Sequence, residues 1–190
     1  TGTVLVTSTG AYFSDTGSST SNTLTAGTLD LKLNTLDNVT ATWNNTNMAP
    51  GDSVTASINL TNTGTLTANH VEIGAVTLAI TDNGTAATPD IDSVMQIIAA
   101  SYNGDDLLAS GGKLLVDSNL NGWIDLNDLT YLANSGEGGQ LDNLTAPAAA
   151  GASTMTLAMT IQFRSGSGNE YQGDSVVMSI PFALNQDSGQ

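Results

Sequence analysis

Asp and Asn side chains recur at short, regular intervals in the twelve-residue stretch DSNLNGWIDLND, residues 117–128. A hard cation such as Ca²⁺ binds about six to eight oxygens, and a loop of this length supplies them from its positions one, three, five, seven, nine and twelve. Those positions hold Asp117, Asn119, Asn121, the backbone carbonyl of Trp123, Asp125 and Asp128. Gly122 stands at position six, where the chain must turn sharply and a Cβ would obstruct the turn. The spacing therefore predicts one calcium site in this loop.

The residues that follow must hold the loop in place. LNDLTYLA predicts a short helix, with Leu126, Leu129 and Leu132 spaced to reach the core. Over residues 117–128 the pattern resembles the calcium loop of dockerins and EF-hands, with Asp rather than Glu at position twelve as in dockerins. Dockerins carry two such loops and this sequence has one, so cohesin binding is not implied. The alternative interpretation is a loop without metal, turned by Gly122, in which Asp125 or Asn127 caps the helix.

Elsewhere apolar and polar residues alternate as they do in half-buried antiparallel strands. The alternation runs through Leu24–Leu33, residues 52–64 and residues 70–84 with the turn Asn83-Gly84, and it resumes in residues 154–164 and 174–184. Within Asp90–Ala100, in contrast, apolar residues fall at helical spacing and predict a helix. The pattern indicates an all-β fold, a β-sandwich in one domain (11–190) with a short helical insertion at about 85–150.

The charge of the chain restricts its partners. It has 3 Lys and Arg against 18 Asp and Glu, a net charge of −15, so no surface can neutralise nucleic-acid phosphates. The same charge disfavours binding to anionic lipid, and no apolar run is long enough to span a membrane. The expected partners are cations, neutral sugars or other copies of the chain. With no cysteine, the sequence excludes disulfides and thiolate metal sites.

A strong strand signal for five residues is formed by Thr3, Val4, Leu5, Val6 and Thr7, because β-branched and apolar residues dominate it. Val4 and Val6 would share one face of such a strand. The strand could pair within its own sheet or join a sheet of another molecule, and the residues alone leave both alternatives open. Since the sequence starts at Thr1, we expect a secreted protein whose signal peptide has been removed.

Five sequons occur in the chain, and they would be glycosylated only if the host modifies secreted proteins. A chain rich in Asn and Thr also produces sequons by chance. The acceptor residues are Asn38, Asn44, Asn59, Asn83 and Asn143.

Three segments resemble the TasA/camelysin family of secreted filament subunits, to which archaeal bundling pili and cannula-type tubes are similar. They are AYFSDTGSSTSNTLTAGTLDLKL (Ala11–Leu33), APGDSVTASINLTNTGTLTANHVEI (Ala49–Ile73) and NEYQGDSVVMSIPFALNQ (Asn169–Gln186). The resemblance implies a jelly-roll sandwich that polymerises by donor-strand complementation, with residues 1–10 as an N-terminal donor strand centred on Thr3–Thr7. In that mode the strand leaves its own subunit and completes the sheet of the next. The expected function is a structural, calcium-stabilised subunit of an extracellular filament, pilus, tube or biofilm matrix.

Some camelysin relatives are described as metallopeptidases. Zinc proteolysis needs two or three imidazole or carboxylate ligands and a general base, typically in an HExxH helix. The chain has one histidine, His70, which alternates with Glu72 along a predicted strand and which we expect at the surface or in a turn. We therefore predict that the protein is not an enzyme. The alternative function is a monomeric, calcium-stabilised surface module that binds carbohydrate or another surface protein, with Trp43, Trp123, Tyr102 and Tyr131 as candidate stacking residues.

Overall fold

The computed structural model describes residues 26–40, 42–74, 76–83, 86–108, 115–132 and 141–187. The described residues form ten strands, one α-helical turn and three short 3₁₀ turns. The strands are β1 (Leu31–Leu33), β2 (Ser53–Asn62), β3 (His70–Ile73), β4 (Thr77–Thr81), β5 (Met95–Tyr102), β6 (Asp105–Asp106), β7 (Leu144–Thr145), β8 (Thr154–Phe163), β9 (Ser175–Ser179) and β10 (Phe182–Asn185). The helical turn α1 is Leu126–Leu129, and the 3₁₀ turns are Ile91–Val94, Ala149–Gly151 and Asn169–Tyr171.

The larger sheet has the order β1-β2-β8-β5-β6 with antiparallel pairing throughout. Its centre is the long pair of β2 and β8, in register from Ser53 opposite Gln162 to Thr61 opposite Thr154. Every second residue of these strands faces the interior, since burial alternates along both, and all of these residues except the buried Asn62 are apolar. This is the alternation that residues 52–64 and 154–164 predict, so both strands are confirmed.

The second sheet is narrower. β3 pairs with β10 on one side and β7 on the other, while β4 pairs with β9. β3 leads into β4 and β9 leads into β10, so the two pairings form one long ribbon. Gly74 donates its N–H to the carbonyl of Pro181 (3.1 Å) where the two halves meet. The ribbon, with β7 beside β3, therefore forms the second layer.

The two sheets enclose a core of aliphatic side chains with few aromatics. Leu60 and Val71, one from each sheet, have no solvent exposure. The buried core also includes Ile58, Ile73, Val94, Ile97, Tyr102, Leu126, Leu129, Leu157, Met159, Ile161 and Phe163. The predicted all-β sandwich is confirmed. None of the helices in the described ranges is long and apolar enough to cross a membrane.

The helix predicted over Asp90–Ala100 is wrong. That stretch forms a single 3₁₀ turn, Ile91–Val94, followed by strand β5. A β-bulge between Ile97 and Ala99 shifts the register against β8 and leaves Ile98 48% exposed. Ile91 and Val94 are buried in the 3₁₀ turn and Ile98 lies at the bulge, so a 3₁₀ turn followed by a bulged strand places apolar residues at a spacing that imitates a helix.

The helix predicted after the Asp-rich loop is present as the single turn α1. Leu126 and Leu129 are each 3% exposed and Leu132 is 9% exposed, so all three reach the core as predicted. The loop is therefore tied to the interior at its exit.

Candidate calcium centre

The first half of the loop 117–128 folds around the carboxylate of Asp117. Its Oδ1 accepts the backbone N–H of Asn121 (3.0 Å), and its Oδ2 accepts that of Gly122 (2.7 Å). Gly122 has φ +98°, a conformation that L side chains rarely adopt. Glycine at position six thus allows the turn that brings positions five and six back onto position one.

The second half is closed by Asp125 and Asp128, which form a capping box at the start of α1. Asp128 Oδ2 accepts the N–H of Asp125 (3.0 Å), and Asp125 Oδ1 accepts the N–H of Asp128 (3.2 Å). Asp128 Oδ1 also accepts the N–H groups of Ser118 (2.7 Å) and Asn119 (3.1 Å). Position twelve is therefore held against the start of the loop. The capping that the alternative interpretation expects is present, and it leaves Oδ2 of Asp125 for other contacts.

The amides of Asn119 and Asn121 converge on that carboxylate. Asn121 Nδ2 donates to Asp125 Oδ2 at 2.6 Å, and Asn119 Nδ2 lies 3.4 Å from both Asp125 oxygens. The amide oxygens face the backbone instead: Asn119 Oδ1 accepts the N–H of Asn121 (3.1 Å) and Asn121 Oδ1 accepts that of Trp123 (3.2 Å). A half-turn of each amide would present an oxygen beside Asp125 at the cost of these two hydrogen bonds. The loop thus brings Asp125 together with the side chains of positions three and five.

Negative charge is buried here without an ion pair to any residue that the structure describes. Asp125 is fully buried and Asp128 is 3% exposed. Burial raises the pKa of Asp125 and the charge of Asp128 acts in the same direction, while hydrogen bonds from Asn121 and Asn119 oppose the rise. The ion pairs of the described residues involve Lys32 and His70, not this loop. A bound divalent cation would offset the cost of keeping these carboxylates charged.

The carboxylates alone are not a metal site. In the described part of the chain, no three His, Cys, Asp or Glu side chains are grouped so that they could hold a metal ion. A calcium ion here would depend on the amide and carbonyl oxygens of positions three, five and seven as well, which are ligands suited to Ca²⁺ rather than to Zn²⁺.

The loop is anchored to β5 and to the 3₁₀ turn before it. Ile97 donates its N–H to the carbonyl of Ile124 (2.8 Å). Trp123 donates its indole N–H to the carbonyl of Ser93 (2.9 Å), and the guanidinium of Arg164 lies 3.7 Å from its ring centroid. The predicted ligand carbonyl of Trp123 is thus on a residue whose side chain is held by the 3₁₀ turn and by Arg164.

Sequence reasoning missed Asp92. This residue is 4% exposed and accepts a hydrogen bond from Asn127 Nδ2 (2.8 Å), one residue before the last predicted ligand. In the sequence, an acidic residue just after Pro89-Asp90 is typical of the first turn of a helix. Nothing in the local pattern therefore indicated that Asp92 would contact the loop. The contact arises because the turn Ile91–Val94 packs beside α1.

The four aromatic residues proposed for sugar stacking are mostly engaged in the fold. Tyr102 is 2% exposed and donates its hydroxyl to the carbonyl of Thr145 (2.8 Å). Trp43 is half-buried and donates its indole N–H to the carbonyl of Met159 (2.9 Å). Tyr131 is 44% exposed. These contacts favour the core role over a sugar platform.

His70 is not at the surface or in a turn, as we expected. It is 4% exposed in β3, the strand between β10 and β7, where its neighbours cover it. Its Nε2 lies 3.1 Å from Glu72 Oε1 and 3.4 Å from Asn185 Nδ2. Since the whole sequence has no other histidine and no cysteine, this side chain has no second imidazole or thiolate with which to bind zinc.

The other predicted sites are distributed over the surface or lie outside the described residues. Thr3–Thr7 belong to the latter group. Of the sequon residues, Asn38, Asn44, Asn59 and Asn83 are exposed and Asn143 is half-buried. Asn59 Oδ1 accepts the hydroxyl of Thr156 (2.9 Å), so this amide already has a partner on the sheet surface.

Comparison with known proteins identifies the family of this chain. No curated protein matches the sequence. The sequence model of the family described as camelysin metallo-endopeptidase matches residues 2–190. This match covers nearly the whole chain, including the three segments that carry the TasA/camelysin resemblance, and we conclude that the chain belongs to the TasA/camelysin family.

Proposed function

We propose that the protein is a structural subunit of an extracellular filament or tube, which polymerises by donor-strand complementation and is stabilised by calcium. Membership of the TasA/camelysin family favours a secreted structural or biofilm-matrix protein. The finer proposal adds how subunits join and what role the Asp-rich loop has.

The metallo-endopeptidase in the family's description does not fit this chain's donor set. The only histidine is buried in β3 against Glu72 and Asn185. His70 and Glu72 alternate along a strand, so they cannot provide the two ligands one helical turn apart of an HExxH site. We therefore derive no hydrolytic step from these residues.

The observation that carries the proposal is the incomplete second sheet. Among the described residues, β4 and β9 pair only with each other, whereas the opposite sheet has five strands. A sandwich layer that is two strands wide leaves the inner face of the ribbon partly exposed, and the burial of β4 and β9 has that pattern. Such a layer can accept a further strand through main-chain hydrogen bonds. Thr3–Thr7 have the composition to provide it.

Charge gives calcium a role in this proposal. Subunits with a net charge of −15 repel one another, and a polymer concentrates that repulsion. The loop 117–128 buries Asp125 and Asp128 with no ion pair among the described residues, so bound calcium would reduce the negative charge that is buried there. We propose that calcium bound there stabilises the subunit and promotes assembly.

Negative-stain electron microscopy of the purified protein in calcium, beside a variant that lacks Thr1–Thr9, tests the proposal. We expect filaments or tubes from the first and folded monomers from the second, with circular dichroism as the check on folding. If both polymerise, Thr3–Thr7 are not the assembly strand. If the intact protein remains monomeric at high concentration, the proposed function is wrong and the monomeric binding module is favoured. Filaments that EDTA leaves unchanged would contradict the role of calcium.

A further inference from the structure

The edge formed by β9 and β10 has no strand beside it in the part of the chain that the structure describes. β9 pairs with β4 on one side, and β10 pairs with β3 on one side. Neither β9 nor β10 has a second partner strand among the described residues. Pro181, between the two strands, directs its carbonyl to Gly74. In an antiparallel ladder the N–H and C=O of one residue point to the same side. Since the carbonyl of Pro181 points inward, the N–H that proline lacks would also have pointed inward and not to the outer edge. The outer edge keeps its hydrogen-bonding groups.

A row of apolar side chains lies along this edge on the core side. All of them are only partly buried, although they pack against the buried core. The row consists of Val176, Met178, Ile180, Phe182 and Leu184. Inner-face residues of a sandwich normally become fully buried when strands flank them on both sides. The row therefore has the burial expected of an edge that still lacks a neighbouring strand.

The edge is also free of charge in a strongly acidic protein. Between Asp174 and Asp187 no residue carries a charged side chain. Natural edge strands commonly use charged residues to prevent pairing with another chain, and here they are missing. Residues 1–14 likewise contain no charged side chain, although the whole chain has a net charge of −15. These two segments can approach each other without the like-charge repulsion that opposes other contacts between copies.

Two other edges compete for an added strand. β1 covers only Leu60–Asn62 of β2, so the beginning of β2 pairs with β8 on one side and has no strand on its other side among the described residues. An open cavity of about 420 Å³ lies beside it, and its lining mixes apolar residues with the polar Asn34, Asn38, Thr40, Thr42 and Ser57. The outer edge of β4 is five residues long. The β9–β10 edge is longer and more continuously apolar than either.

We propose that Thr3–Thr7 of a second copy add to the β9–β10 edge, with Val4 and Val6 on the apolar row. This inference rests on the proposed function and gives the assembly strand its acceptor. Leu5 then lies on the outer face beside Val177, which is 64% exposed in the isolated chain. Pairing thus completes the second sheet, and the contact repeats from one copy to the next because donor and acceptor are different surfaces.

Disulfide trapping between two full-length variants tests this pairing. The chain has no cysteine, so each introduced thiol is unambiguous. Leu5→Cys is mixed with a tagged variant that carries Ser175→Cys, Val177→Cys or Ser179→Cys on the outer face of β9. Neighbouring strands lie about 4.8 Å apart, within the Cα separation of roughly 4.4–6.8 Å that a disulfide spans. Ala79→Cys on β4 and Ser57→Cys on β2 are matched controls, because both positions are exposed.

We expect a disulfide-linked dimer with at least one β9 variant and loss of that product with both controls. The same mixtures are imaged for filaments. Filaments together with crosslinking to Ala79→Cys or Ser57→Cys, or with no crosslink to any β9 position, would overturn the acceptor edge and leave the proposed function standing. A Leu5→Cys/Val177→Cys double variant that crosslinks within single chains while the mixture does not would show pairing within one copy and overturn the inference. Absence of both filaments and crosslinks would overturn the proposed function and the inference together.

Discussion

Asp125 and Asp128 each accept a hydrogen bond from the other's backbone N–H, at 3.2 and 3.0 Å. This reciprocal contact closes the loop 117–128 and starts α1 with the same two residues. Both carboxylates are buried in the process. The stability of this part of the fold and its affinity for calcium are therefore expected to depend on the same side chains.

Replacing Asp128 by Asn should destabilise the protein even without calcium. The carboxylate accepts three backbone N–H groups, and an amide can accept with only one of its two terminal atoms. We expect a loss of about 1–3 kcal/mol in the free energy of unfolding, measured with urea in EDTA. Asp105→Asn, at an exposed position, is the control. Equal stability of the two variants would contradict the role of Asp128.

Calcium should stabilise the native protein by mass action. At a concentration about a hundredfold above Kd the gain is about 2.7 kcal/mol. Asp117→Ala should lose this gain, since Asp117 is the predicted ligand at position one. The measurement is the difference between unfolding in calcium and in EDTA for each protein, with magnesium as the control ion. The calcium site is wrong if both proteins gain equally.

Asp92 should affect calcium binding without being a ligand. It accepts a hydrogen bond from Asn127, and groups that orient a metal loop typically change metal affinity by about tenfold to a hundredfold. We expect Asp92→Ala to weaken calcium binding by about tenfold in calorimetric titration. Asp90→Ala, exposed two residues earlier, should bind like the native protein. An unchanged affinity in Asp92→Ala would show that the contact has no such role.

Gly122→Ala should lower the free energy of unfolding because of the backbone conformation alone. No atom lies within 4 Å of where its Cβ would be, but its φ of +98° is unfavourable for any L side chain. We expect a loss of about 1–2 kcal/mol in the free energy of unfolding. Gly166→Ala is the matched control, because Gly166 has the same open surroundings and no positive φ. Thermal or urea unfolding of the two variants tests the difference, and equal values would refute it.

Tyr102 should make stability decline at alkaline pH. Burial raises the pKa of its hydroxyl far above the ordinary value of 10.0. The folded protein therefore retains a proton that the unfolded chain loses, so stability is full below about pH 10 and falls above it by about 1.4 kcal/mol per pH unit. Tyr102→Phe lacks the hydrogen bond to Thr145 and should be less stable by about 1 kcal/mol at neutral pH.

Above pH 10 the stability advantage of the native protein over Tyr102→Phe should shrink and then reverse. Urea unfolding across pH 8–11 measures the free energy of unfolding of both proteins. Parallel stability curves for the two proteins would contradict the burial of an ionisable hydroxyl at this position.

The sequence by itself determined the features that depend on neighbouring residues. Alternation in residues 52–64 and 154–164 predicted β2 and β8, because side chains of a strand point to opposite faces in turn. The glycine at position six and the three leucines after the loop predicted the turn and the buried helix, and both are present. Family membership was also readable from short segments spread along the chain.

Only the tertiary structure decided which residues meet across the fold. The segment Met95–Tyr102 forms β5 rather than the predicted helix, because pairing with β8 outweighs local spacing. His70 is buried because β3 lies between two strands, and Asp92 reaches Asn127 because a 3₁₀ turn packs beside α1. The edge of β9 and β10 likewise depends on sheet order. Such contacts join residues that are far apart in the chain, so local residue patterns cannot predict them.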